Sequence, residues 1–281
     1  MDKKILNILK CIKCNNTSLN LEISSMKNDE VWEGNIYCDR CKANYAIKQG
    51  IPIMLLESKN MSFSSTPELE EVLKFLSTTK KIRELVSQNS INAFSLDAGC
   101  GPGLYLKYFK GETVAFDINL YFLNLARKNY SGQNIIHYIA GDIKFLPFRD
   151  NVFDFVFNSS VLEHFKQDEI VSVLREFERV SKGLIQIDCP NCSYLTVVLP
   201  KILAKLKLYR LEGPLSGDSE ELYHHSIITT NFLRREGYKV KGCIGYTTRE
   251  QLNYQIGNVL DFLVYNFPYI AGTLIAFKNT K

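Results

Sequence analysis

Alternate glycines at Gly99, Gly101 and Gly103, set between Asp97 and the stretch Leu104 to Phe109, are the residues best suited to hold a ligand. An apolar run through Ala93, Phe94 and Leu96 climbs to Asp97, which predicts a buried strand, a tight turn and a helix N-terminus. Without Cβ atoms a ligand reaches the backbone, and the turn is free to take positive φ. The helix end would offer unpaired N–H groups. About 20 residues past Asp97, the strand-like run Thr113-Val-Ala-Phe ends in Asp117. A carboxylate placed there can take both hydroxyls of a ribose. Taken alone, the turn also suits a dinucleotide site or a turn with no ligand. A dehydrogenase would carry Gly-x-Gly-x-x-Gly, which this alternation is not.

A second chemistry lies near the start of the chain. Cys11-Ile-Lys-Cys14 and Cys38-Asp-Arg-Cys41 are two pairs about 23 residues apart. Two such knuckles can close a tetrahedral four-sulfur shell around Zn²⁺, a structural site with no open position. The alternative is two pairs of buried thiols. So short a segment has little core of its own, and metal binding would supply the missing free energy. Cys189-Pro-Asn-Cys192 has no companion pair and is not read as a metal site. Cys100 and Cys243 read as small buried residues.

The elements that must position these groups follow from periodicity. Ser18 to Ile23 and Val31 to Tyr37 alternate like a small hairpin. Ser58 to Thr66 is polar, and Thr66-Pro67-Glu68 has the cap, proline and acid of a helix start. Strand and helix patterns then alternate to Ile187, including a strand at Ile135 to Ala140 and a helix from Asp168 to Val180. Antiparallel closing strands are expected at Tyr238 to Tyr246 and Ala271 to Phe277. The division predicted is a zinc-ribbon domain over 1–57, a linker over 58–66 and a main domain over 67–281, with a lid or insertion at about 190–228.

Asp97-Ala-Gly-Cys-Gly-Pro-Gly103, Phe116-Asp117, Gly141-Asp142, Leu146-Pro-Phe148 and Phe153-Asp154 through Leu162-Glu-His-Phe165 stand in an order that resembles the class I S-adenosylmethionine (SAM)-dependent methyltransferases, in particular the quinone and small-molecule group. The similarity covers roughly residues 67 to 281. It implies an α/β, Rossmann-like fold, a mostly parallel seven-stranded sheet with helices on both faces. By the same resemblance Asp97, Gly99, Gly101 and Gly103 hold the methionine end of SAM, and Asp117 with Ile118 the ribose side. Asp142 and Ile143 frame the adenine, and Asn158 and Ser159 lie beneath the reacting sulfur. His164 is the candidate base, or a loop-orienting residue, and Glu163, His224 and His225 are candidates for the acceptor side. Asn35 to Leu55 resembles the zinc-ribbon activator subunit of tRNA, rRNA and release-factor methyltransferases, here fused to its enzyme. Ile51, Pro52, Ile53 and Met54 are then a strip that covers an apolar face of the main domain.

These readings lead to a SAM-dependent methyltransferase with structural Zn²⁺ and an acceptor that is a small molecule or lipid. The alternatives are a tRNA, rRNA or translation-factor methyltransferase, and a SAM- or nucleic-acid-binding module without turnover. The net charge of +4 is too small to argue for RNA or to exclude it. Residues 194–211 mix leucines with Lys201, Lys205, Lys207 and Arg210, as in an amphipathic lid or a segment lying on a membrane surface. With no signal-like leader and no apolar run of bilayer length, a cytoplasmic protein is expected.

Overall fold

The computed structural model describes residues 1–55, 80–130, 132–191, 228–243, 265–268 and 273–280. The expected linker at 58–66, the helix start at Thr66, the 194–211 segment, Cys192, His224 and His225 lie outside the described residues. Four strands come first: β1 (Leu19–Lys27), β2 (Glu30–Cys38), β3 (Asn44–Lys48) and β4 (Ile51–Met54). Seven follow: β5 (Ser95–Ala98), β6 (Thr113–Asp117), β7 (Ile136–Gly141), β8 (Phe153–Ser159), β9 (Ser181–Pro190), β10 (Lys239–Cys243) and β11 (Thr273–Asn279). The helices are α1 (Lys80–Asn89), α2 (Leu120–Asn129), α3 (Gln167–Val180) and α4 (Thr230–Arg235).

The seven later strands lie in the order β7-β6-β5-β8-β9-β11-β10. The first five are parallel, and β11 runs antiparallel between β9 and β10. Strands β5 and β6 are buried along their whole length, as expected where both faces of a parallel sheet are covered. Helix α3 shows how the covering works. Its residues Ile170, Val173, Leu174, Phe177 and Val180 recur at helical spacing and are all buried. Beneath, Phe148 meets Phe116 and Phe153 edge-on, with ring centroids 5.6 and 4.9 Å apart.

Two departures from the sequence reading have physical reasons. The stretch after the glycine turn is not an α-helix; only Leu106–Tyr108 turns, as a short 3-10 segment. Gly101 and Gly103 hold positive φ and Phe109 is already extended, which leaves too few residues to propagate an α-helix. The second concerns the cysteine-bearing strands, which join the main sheet at its edge instead of lying over a face. Strand β4 pairs parallel with β7, Ile53 against Ala140 and Met54 against Gly141, so one 11-stranded sheet runs through both parts. The β7 edge would otherwise leave backbone groups without a ladder partner.

The junction is reinforced beside that pairing. Leu9 bridges Phe148, the Lys10 N–H donates to the Pro147 carbonyl at 2.8 Å, and the Arg149 N–H donates to the Ile8 carbonyl at 2.8 Å. From the other side Arg179 donates to the carbonyls of Leu146 (2.9 Å) and Phe148 (2.6 Å). The Leu-Pro-Phe motif is therefore clamped between the first knuckle and α3. Arg127 of α2 donates to the Gln49 carbonyl, and its guanidinium lies 5.4 Å from the ring centre of Trp32.

Candidate functional site

The sheet order reverses at β5, with β6 and β7 on one side and β8 and β9 on the other, and in open parallel sheets such a reversal marks the ligand crevice outside the C-terminal strand ends. Register places Asp97 level with Ala115 and Phe157, and Ser159 level with Asp188. Since side chains alternate, Asp97, Asp117, Ser159 and Asp188 lie on one face at successive strand ends. Asn158 turns to the opposite face, where its amide donates to the Ala98 carbonyl at 2.6 Å.

The glycine turn is built for an open centre. At Gly99 an added Cβ would lie 2.5 Å from Val161 Cγ2, and at Gly103 2.8 Å from the Ala126 Cβ, so both are fixed by packing. At Gly101, with φ of +51°, a Cβ would meet nothing within 4 Å. Asp117 spans the gap: one carboxylate oxygen accepts from the Gly101 N–H at 2.8 Å and the other from the Asn119 N–H at 2.7 Å. Each oxygen keeps a lone pair for a further donor. Burial pushes the Asp117 carboxyl up, opposed by those N–H groups. Asp97 is buried, and no hydrogen bond to its carboxylate is found among the described residues. Burial, then the charges of Asp117 and Asp188, push it well above the usual carboxylate range.

Along the crevice, Asp142 accepts from the Lys144 N–H at 2.9 Å and so caps the turn Ile143–Phe145. Ile143 is buried, whereas Ile118 and Phe145 are exposed apolar side chains. After β8, Glu163 is buried while its neighbour His164 is exposed. Burial and then Asp188 push the Glu163 carboxyl up to about 8.

Asp188, Gln186 and Asn89 were absent from the sequence reading. Asn89 donates to Gln186 Oε1 at 2.9 Å, and Gln186 donates to one oxygen of Asp188 at 3.5 Å. Gln186 is 0 % and Asp188 1 % exposed, and burial raises the Asp188 carboxyl to about 7. The available signal was two polar residues at i and i+2 inside the apolar run Leu184 to Cys189.

The second site is the cysteine cluster. Sγ atoms of Cys11, Cys14, Cys38 and Cys41 all lie within 4.8 Å of one another. Cys11 and Cys41 are 3.5 Å apart, as are Cys14 and Cys38, and all four are free thiols. Tetrahedral zinc at about 2.3 Å from each sulfur requires separations of about 3.8 Å, so the cage is of the right size. The knuckles are built alike. In each, the residue after the second cysteine, Asn15 or Lys42, has φ near +60° (58° and 60°) and donates its N–H to the carbonyl of the first cysteine. Burial pulls the Cys38 thiol up, but the Cys41 and Arg40 N–H groups outweigh it and bring it down, while, against the Asn16 N–H, the neighbouring Cys14 thiol is pushed up by burial and by the other three cysteines.

The strand order, the bare turn and the carboxylate one strand over define a class I SAM-dependent methyltransferase fold. Residues 96–183 match the family described as Methyltransferase domain. In sequence, a malonyl-[acyl-carrier protein] O-methyltransferase of Pseudescherichia vulneris is 37 % identical over 71 residues, 24 % of this chain and 27 % of that protein. An uncharacterized protein of Methanocaldococcus jannaschii is 27 % identical over 147 residues, 51 % of this chain and 60 % of that protein. The chain thus spans less than two thirds of the length of either relative. Among solved structures, magnesium protoporphyrin IX methyltransferase from Synechocystis PCC 6803 with bound SAH is similar at a TM-score of 0.47 and 13 % identity, covering 77 % of this chain and 88 % of that one. Among the described residues no helix is long and apolar enough to cross a membrane.

Proposed function

We propose that the chain is a SAM-dependent methyltransferase acting on a small molecule or lipid, with structural Zn²⁺ in the four-cysteine cage. The observation that carries the reading is the open space over Gly101 with the Asp117 carboxylate beside it. Asp97 fits the same ligand, being a buried carboxylate without a hydrogen bond among the described residues, where an ammonium group would find its counter-charge. Asp117 keeps acceptor capacity for ribose hydroxyls, and Ile143 and Ile118 offer apolar surface to a flat base. When bound, SAM supplies a methyl group on a sulfonium, whose C–S bond breaks with its electron pair on sulfur as the acceptor's lone pair forms the new bond.

The protein's share is alignment and, for a protic acceptor, proton removal. Glu163 and Asp188 are buried acids near enough to influence each other, and the exposed His164 follows Glu163 in the chain. Calorimetric titration with SAM tests the reading. One equivalent binding to the wild type, and binding to Asp117→Ala weakened roughly 30-fold or more, is the expected outcome; a wild type that takes up no SAM ends it.

A further inference from the structure

Two buried acids, Glu163 and Asp188, are left without a role by the proposed SAM site. Glu163 is 4 % and Asp188 1 % exposed, and among the described residues Glu163 Oε2 and Asp188 Oδ2 have no hydrogen-bond partner, although the Ser159 side chain faces Asp188. They come from different elements: Glu163 from the 3-10 turn Leu162–His164 after β8, Asp188 from β9. The Ser160 N–H donates to the Asp188 carbonyl at 2.9 Å, which holds the start of that turn against β9. Asn89 fixes the Gln186 amide so that its NH₂ faces Asp188, which ties down one carboxylate oxygen and leaves the other directed elsewhere. Asp188 also lies on the face of Asp97 and Asp117.

Buried polar atoms are nearly always satisfied, so two orphaned carboxylate oxygens point to a ligand that donates to them. SAM does not suffice. Its sulfonium, ammonium and carboxylate sum to a single positive charge, against the carboxyl groups of Asp97, Asp117, Glu163 and Asp188. A metal ion would lack a full set of protein ligands among the described residues. Among the described residues the four cysteines are the set of three or more metal-binding side chains gathered within 4.8 Å, and these acids are not in it.

We propose that Glu163 and Asp188 form an acceptor subsite for an amine, which enters as its ammonium ion and donates to Glu163 Oε2 and Asp188 Oδ2. The inference rests on the methyltransferase reading. An ammonium nitrogen gives one proton to the Asp188 carboxylate, its N–H bond breaking as the O–H bond forms, and keeps the lone pair a methyl acceptor needs. A nitrogen gains positive charge on methylation, which neighbouring carboxylates favour. A carboxylate acceptor would be repelled, and a hydroxyl would have to develop negative charge beside two acids. The raised pKa values of both acids are what such a site shows before its cation arrives.

Calorimetry on the full chain saturated with SAH tests this, using n-hexylamine, n-hexanol and hexanoate as matched probes at pH 7.5. Hexylamine is expected to bind at least tenfold more tightly than the other two. Glu163→Gln and Asp188→Asn, near-isosteric changes, are each expected to weaken it tenfold or more while SAH affinity stays within threefold. Hexanoate or hexanol binding as well as the amine, no amine binding, or amine binding unchanged in both variants overturns the proposal. The comparison of probes on the wild type decides the matter even if a variant fails to fold. Absence of SAH binding by the wild type would refute the methyltransferase reading instead, and the two failures are thereby separate.

Discussion

Replacing Glu163 by Gln should make the ligand-free protein more stable at neutral pH, and the pH dependence of that gain is the test. The ordinary carboxyl value of 4.5 is raised to about 8 in the folded protein, first by burial and then by Asp188. The folded state therefore keeps a proton that the unfolded chain has already lost. Stability from this group is fully present below about 4.5 and is lost as pH rises toward 8. Between pH 5 and pH 7 the linkage relation gives a loss of roughly 2–3 kcal/mol from Glu163 alone. For a chain of this size that is a fall in Tm of roughly 5–10 °C. Asp97, Asp117 and Asp188 are also raised and act in the same direction, so the quantity to measure is the difference between wild type and variant. Urea unfolding at pH 5, 6 and 7 should show Glu163→Gln overtaking the wild type as pH rises. Parallel pH profiles for the two proteins, or a variant that falls further behind at pH 7, would refute the claim that Glu163 is buried without a counter-charge.

Asp117→Ala should lower SAM affinity by about 2–3 kcal/mol, roughly 30–150-fold by calorimetry, because it removes a charged acceptor from the crevice. Gly103→Ala should cost about 2–4 kcal/mol of stability in urea unfolding, its Cβ falling 2.8 Å from Ala126 at a φ of +82°. Gly101→Ala should cost only about 1 kcal/mol of stability yet weaken SAM binding, since its methyl enters open space. Metal analysis should find one zinc per chain in the wild type and none in Cys38→Ser. Chelation should change the fluorescence of Trp32, the single tryptophan of the chain, which lies between Lys27 and Arg127 at the junction.

Much of this was legible in the sequence, because the features concerned are local. The strand-turn arrangement around Gly99 to Gly103, the Asp117 partner one strand away and the paired cysteines are each set by a few residues whose spacing is their geometry. Strands β6 to β9 and helix α3 were also readable, as apolar runs and a 3.6-residue stripe. What was missed depends on contacts between distant segments. Nothing in Ile51-Pro-Ile-Met tells an edge partner from a covering strip; that depends on β7 having a free side. Asp188 becomes notable only when Gln186, Asn89 and Glu163 converge on it from three parts of the chain. Helix α1 escaped notice although its Ile82 and Val86 are buried at i and i+4.

The parallel pairing of β4 with β7 joins positions 53 and 140, 87 residues apart along the chain. The cysteine-bearing strands pair with one another between residues no further apart than Leu19 and Cys38, so that part can close, around the Zn²⁺ it is proposed to hold, while β7 is still being synthesised. It then serves as a ready-made template on which the growing sheet finds its register. If Zn²⁺ fills the cage as proposed, a cell short of it would accumulate chains whose sheet has lost its starting edge, before any question of catalysis arises.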